Sequence, residues 1–325
     1  MEHLAEYAIF LAKLVTLLLA VLVVIAAIAG RMQRGQSGAP SPGSLEVRKL
    51  NEDYRRAAMT IKANLLPGKQ FKAERKAEKA RRKQQAADKR ARLWVLDFHG
   101  DIRASALTGL REEITALLTT ASEDDEVLVR LESAGGQVHA YGLAAAQLMR
   151  IRDRNIRLTV SVDKIAASGG YMMACVADRI IAAPFAILGS IGVIAQLPNF
   201  NRWLKERDIE YEQFMAGEHK RTVTLFGENT EEGRSKFQEE IEDVHALFKE
   251  FVGTHRPQVD LDEIATGEYW LGTRAIDHKL ADELITSDDY LLKASEQADL
   301  FHLRWTGKQP WLARMLSQTA NALVR

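Results

Sequence analysis

Hydrophobic and polar positions give this chain three successive textures. From Ala8 to Gly30 the residues are almost all apolar, with Lys13 the one charge. Coiled as a helix, the run covers about 34 Å at roughly 1.5 Å per residue, enough to cross a hydrocarbon core. Residues 31–44 are rich in Gly, Ser and Pro and predict a flexible linker. Residues 45–92 have helical composition, broken at Pro67-Gly68, and predict a helical stalk. From Leu93 apolar residues recur at strand and helix spacing in turn. Strands are predicted at Leu93–Phe98, Val127–Leu131, Ile156–Val162, Arg179–Ala182 and Ile191–Leu197, with a further strand-like run at Thr222–Phe226. Helices are predicted at Ser105–Thr120, Val138–Ile151 and Glu231–His255, the last stopped by Pro257. This alternation predicts an α/β domain over 93–305, built on parallel strands with helical crossovers. A smaller piece at Leu261–Leu284, a closing stretch at Leu291–Leu303 and an amphipathic helix within 306–325 complete the reading.

Charge changes the picture at two places. The whole chain is formally neutral, yet Lys69–Arg92 holds eleven Lys or Arg against three acids. Such a run reads as a solvated helix; its functional alternative is attraction to anionic lipid headgroups. Without interleaved aromatics or a recognisable module it gives no support to nucleic-acid binding. Before the apolar run stand Glu2 and Glu6 rather than a basic cluster. That, and the run's length, predict a retained anchor over 1–30 instead of a cleaved signal, despite the small-x-small Ala27-Ile28-Ala29. Arg31, Arg34, Arg48 and Lys49 lean the bulk of the chain toward the cytoplasm. Cys175, the sole cysteine, forbids an intramolecular disulfide and sits in an apolar run as a core residue.

The candidate chemistry centres on Ser168. It follows a strand, precedes the apolar run Tyr171–Val176, and has Gly169 and Gly170 behind it. A serine so placed is either an ordinary helix cap or a nucleophile exposed on a turn. As a nucleophile it needs a base. Lys220 follows the Ala216-Gly217 bend; Lys164, His139 and His219 are the rivals, and a solvated surface lysine is the bland alternative. A lysine must be neutral to act as a base, which calls for apolar surroundings or neighbouring cations. Gly135 and Gly136 follow the strand that ends at Glu132-Ser133. Their amides and that of Gly169 are candidate donors to an oxyanion, or simply a turn. No clustering of His, Cys, Asp and Glu suggests a metal, and no organic cofactor is called for.

The motifs Leu131-Glu132-Ser133-Ala134-Gly135-Gly136, Tyr141-Gly142-Leu143, Ala167-Ser168-Gly169-Gly170-Tyr171, Gly189-Ser190-Ile191-Gly192 and Lys220-Arg221, in this order, resemble the signal peptide peptidase A family of membrane-bound serine peptidases. The resemblance implies a Ser/Lys dyad, with Ser168 as nucleophile and Lys220 as general base and then acid, 52 residues apart. It implies that Ser190 orients the lysine amine and that Gly135 and Gly169 form the oxyanion hole. The implied fold is the Clp protease/crotonase-like spiral of βαβ units, preceded by a transmembrane helix and a basic helical segment. Polypeptide substrates, a homo-oligomeric ring and the bacterial inner membrane are implied too. Ala134 departs from the proline common in the family, which predicts a slightly looser turn. A non-catalytic membrane scaffold and a crotonase-type acyl-thioester enzyme compete as readings. An α/β-hydrolase fits less well, because Ala166 stands where its elbow wants glycine.

Overall fold

The computed structural model describes residues 11, 13–20, 43–87, 90–217 and 219–307. Leu45–Trp305 forms one compact unit. The anchor expected over 8–30, most of the linker and the terminal helix within 306–325 fall largely outside the described residues. Among the described residues no helix is long and apolar enough to cross a membrane.

The spine of the compact unit is a sheet of β2 (Arg92–Gly100), β3 (Glu126–Ser133), β4 (Arg157–Val162) and β6 (Arg179–Ala182), each parallel to the next. Helices α3 (Leu107–Leu118) and α4 (Val138–Arg152) make the crossovers between β2, β3 and β4. Both faces of these strands are covered, so they read as near-continuous apolar runs. Trp94, Leu96 and Phe98 pack with Ile114, Leu131 and Leu148 in the larger core. Leu93 and Val95 join Leu128, Leu291 and Leu300 in the smaller one. The outer strands are β9 (Glu283–Leu284), parallel to β6, and β10 (Asp299–Thr306), parallel to β2; β1 (Ser44–Lys49) lies beside β10. The closing stretch thus divides into a helix, Ser287–Gln297, and β10.

The feature that matters for chemistry is a fork in the sheet. At its start β3 pairs with β4, but at its end Ser133 pairs with Ala166 of β5 (Ile165–Ala167). β5 in turn runs parallel to β7 (Ile187–Gly189), and β7 pairs antiparallel with β8 (Tyr269–Leu271).

Three expectations fail in instructive ways. The strand expected at Ile191–Leu197 is absent: residues 190–200 have no regular structure, and the nearest strand, β7, already ends at Gly189. The run Thr222–Phe226 is likewise not a strand. Both lie in a long arm, residues 191–228, whose one regular element among the described residues is the short helix Asn201–Lys205. Both runs are apolar, but among the described residues no strand pairs with them. The helical segment expected as a stalk opens instead with a strand, β1, and its first helix, α1 (Leu50–Leu65), is docked. Asn51, buried on α1, donates to the carbonyls of Ser295 and Ala298 and accepts from the Leu300 N–H. The next helix, α2 (Gly68–Ala87), is tied back to α1 by the Lys62–Glu74, Arg55–Glu78 and Arg82–Glu52 ion pairs.

Candidate active site

Three parallel strands, β3, β5 and β7, end side by side, with Ser133 opposite Ala166 and Ala167 opposite Gly189. The turns that leave them are Ala134–Gly136, Ser168 and Ser190. The carboxyl ends of parallel strands are where α/β folds place their ligands, because the backbone groups there are free to face outward.

Ser168 is half-buried, and its backbone is held at φ 51°, ψ −120°. A non-glycine residue reaches this region at a cost of about 1–3 kcal/mol, and such strain collects at functional turns. The surroundings hold it there. Its N–H donates to the Gly189 carbonyl at 2.8 Å, and its own carbonyl accepts from the Met172 N–H at 2.9 Å, starting α5 (Gly169–Ala174). The turn is closely packed: a Cβ on Gly169 would stand 2.5 Å from Tyr141 Cγ, and one on Gly170 would stand 2.4 Å from the Ser133 carbonyl oxygen. Ser190 is held in the same manner, at φ 51° with its N–H donating to the Glu268 carbonyl at 2.6 Å.

Gly135 is brought against this turn. At φ 91°, a Cβ added to it would lie 2.7 Å from the Gly169 nitrogen and 2.8 Å from Ser168 Cβ. Its own N–H, however, points the other way and donates to the buried Ser133 Oγ at 3.1 Å. Gly135, expected to supply an oxyanion donor, thus lies against Ser168 with its N–H engaged by Ser133. Gly136 is the exposed member of the pair.

Lys220 is the residue the single chain does not bring in. It is exposed in the 191–228 arm, its backbone N–H donating to the Gly217 carbonyl at 3.2 Å. Among the described residues its side chain forms no hydrogen bond or ion pair with Ser168 or Ser190. The dry surroundings expected of a lysine base are not supplied by its own chain, because the arm turns its large apolar side chains outward too: Ile194 is 78% and Phe214 89% exposed. The rivals fare no better. Lys164 is paired with Glu132 at 3.0 Å, and His139 and His219 are exposed. Cys175 is buried, donates to the Met172 carbonyl and has its thiol pKa pushed far up by burial, as befits an inert core residue. Sequence reading placed Ser133 and Tyr141 within the motifs but gave neither a role; the structure makes them the buried partners of the turns.

Comparison with known proteins gives two adjoining family matches. A family model described as Peptidase family S49 N-terminal matches residues 2–148, and one described as Peptidase family S49 matches residues 150–301. A Haemophilus influenzae relative named Probable protease SohB is 45% identical over 337 residues, 99% of this chain and 95% of its own length. This chain belongs to peptidase family S49. Another relative with that printed name, from Buchnera aphidicola subsp. Schlechtendalia chinensis, is 59% identical over 62% of this chain and 66% of its own. Among solved structures, a mutant ClpP1 from Listeria monocytogenes aligns with 64% of this chain and 98% of its own, at 14% identity and a TM-score of 0.38. That likeness is too loose to build on; the α/β assignment rests on the strand order itself. Membership of S49 makes the chain a peptidase by family, as its sequence motifs imply.

Proposed function

We propose that the chain is a membrane-anchored serine endopeptidase in which Ser168 and Lys220 act as a dyad, on a Clp protease/crotonase-like spiral. The observation that supports this best is the strained Ser168 backbone at the joined ends of β3, β5 and β7, with Gly135 pressed against it. In the proposed reaction Ser168 Oγ attacks the scissile carbonyl carbon while neutral Lys220 Nζ takes its proton. The carbonyl oxygen becomes an oxyanion that accepts from the Gly169 N–H. Because Gly135's N–H is engaged with Ser133, we assign the second donor to the Gly136 N–H, with Gly135 giving the close approach. The tetrahedral intermediate collapses, the amine leaves with the proton from Lys220, and an acyl-Ser168 remains. Water, deprotonated by Lys220, then releases the carboxylic acid and restores Ser168. Ser190, beside the Gly189 carbonyl that holds Ser168, is the proposed guide for the lysine amine.

Exposure of Lys220 in a single chain leaves its amine solvated, whereas the reaction needs it neutral. A homo-oligomeric ring meets this requirement: a neighbouring copy that covers the outward Ile194, Trp203, Phe214 and Met215 dries the arm that carries Lys220. The apolar run at 8–30 is the proposed anchor in the bacterial inner membrane. Both acids of α2, Glu74 and Glu78, face α1, which leaves its outer face basic and suited to anionic headgroups. Signal-peptide remnants or other membrane-associated polypeptides are the substrates that this setting favours.

The test is hydrolysis of an unfolded polypeptide by the full-length protein. Ser168→Ala and Lys220→Ala each lower the rate at least about a thousandfold. Lys220→Arg does the same, since a guanidinium does not deprotonate. Retained hydrolysis in Ser168→Ala defeats the reading. Oligomeric, folded wild type that neither hydrolyses peptides nor reacts at Ser168 indicates a scaffold.

A further inference from the structure

A directional hydrogen-bond relay lies beneath the turn that follows β3, and beyond its Gly135–Ser133 link it has no part in the catalytic roles above. Ser133 is 2% exposed. Its Oγ is 3.1 Å from the Gly135 nitrogen and 2.6 Å from Tyr141 Oη, which in turn is 2.7 Å from the Asp101 carbonyl oxygen. The partners fix where each proton sits. A carbonyl only accepts, so the Tyr141 hydroxyl donates to Asp101. Its oxygen is then left to accept, and Ser133 gives it its single proton. Ser133 Oγ, having donated, accepts the Gly135 N–H. The order is Gly135 to Ser133 to Tyr141 to Asp101, one proton per link. Burial pushes the Tyr141 phenol pKa upward, so the ring hydroxyl stays a donor.

The relay touches both halves of the site. Tyr141 lies directly under Gly169, and the Ser133 carbonyl lies under Gly170. The far end of the turn is held by the same loop that receives the relay: the Gln137 N–H donates to the carbonyl of Ile102, next to Asp101, at 2.9 Å. The room between is minimal, for a Cβ on Gly136 would lie 2.2 Å from that Ile102 oxygen. The loop Asp101–Ile102 therefore grips the Ala134–Gln137 turn at both ends.

We propose that Ser133 and Tyr141 are positioning residues for the oxyanion site: by turning the Gly135 amide inward, they hold the Gly135–Gly136 peptide so that its N–H faces the oxygen of a substrate attacked by Ser168. The inference rests on the peptidase reading above and assigns work to two side chains that never touch substrate.

Kinetics of the full-length protein test it, with active sites counted by the end point of fluorophosphonate labelling. Ser133→Ala and Tyr141→Phe each lower kcat per labelled site by about 10–100-fold, less than the 10²–10³ typical of deleting a donor outright, with KM within about twofold. The double variant falls no further than the worse single, because both break one relay. Ser133→Thr, which keeps the hydroxyl, restores most of kcat. Should the Ser133 variants fail to fold, Tyr141→Phe, which retains the ring, decides. A purely structural role lowers the number of labelled sites and leaves kcat per site unchanged; that result, additive losses, or a rise in kcat overturns the proposal. If wild-type protein hydrolyses nothing, the peptidase reading falls and takes this one with it. An active wild type whose variants keep kcat per site removes this inference alone.

Discussion

Gly135 and Ser168 meet backbone to side chain: a Cβ built on Gly135 would stand 2.8 Å from Ser168 Cβ, closer than real Cβ contacts come. The contact joins the turn after β3 to the turn after β5, which the sheet fork has set side by side. Gly135→Ala faces two penalties at once, the steric overlap and a φ of 91°. It is expected to lower kcat at least about a hundredfold and to destabilise the fold by about 1–3 kcal/mol. Peptide hydrolysis and thermal melting measure the two. Unchanged activity would mean that the turns are further apart in solution.

Stability away from the site depends on Arg256, which is 2% exposed. Its guanidinium donates to both oxygens of Asp282 at 2.9 and 3.0 Å and to the Lys279 carbonyl at 2.7 Å; Asp282 also receives the Ile180 N–H. Arg256→Ala removes two donors from a carboxylate that is itself 34% exposed and is expected to cost about 1–3 kcal/mol. Denaturant titration reads this as a lower midpoint at unchanged slope. A loss below about 1 kcal/mol would show the pair to be solvated like a surface bridge.

Asp97 gives the fold an acid limb. Burial pushes its carboxyl pKa up, but hydrogen bonds from His302 and Arg130 outweigh this and hold it well below the usual carboxylate range. A depressed folded-state pKa contributes stability that is present above the unfolded value of about 4 and is lost as pH falls toward the folded one. Wild-type stability should therefore drop below about pH 4. Asp97→Asn should be less stable at neutral pH and show a shallower acid limb. Equal acid slopes in the two proteins would contradict this.

The outward arm predicts an assembly. Phe214→Glu places a charge where a copy is proposed to dock. It should reduce the mass seen by light scattering and lower hydrolysis together, with the melting temperature of the chain little changed. Full activity in a monomeric variant would remove the proposed drying of Lys220.

Legibility of the sequence followed burial. Strands packed on both faces, such as β2 and β3, announce themselves as apolar runs, and helix Glu231–His255 was readable to the residue from its spacing and Pro257. The Ser168 turn was readable because strand, small residues and helix follow one another. The arm was not. Ile191-Gly192-Val193-Ile194 has the pattern of a strand, yet Ile191 is buried while Ile194 is 78% exposed, and local pattern does not say whether its own chain or another will cover it. β5 and β7 are three residues each, too short to carry a period. The direction of the Gly135 amide depends on Ser133 and Tyr141, which only the folded turn brings within reach.

In the proposed reaction Ser168 carries the covalent step with Lys220 as its base. Mass mapping of a fluorophosphonate adduct on the full-length oligomer tests this most directly. A single adduct on Ser168 is expected, at least about a hundredfold slower to form in Lys220→Ala. An adduct elsewhere, or labelling of Ser168 at an undiminished rate without Lys220, would contradict it.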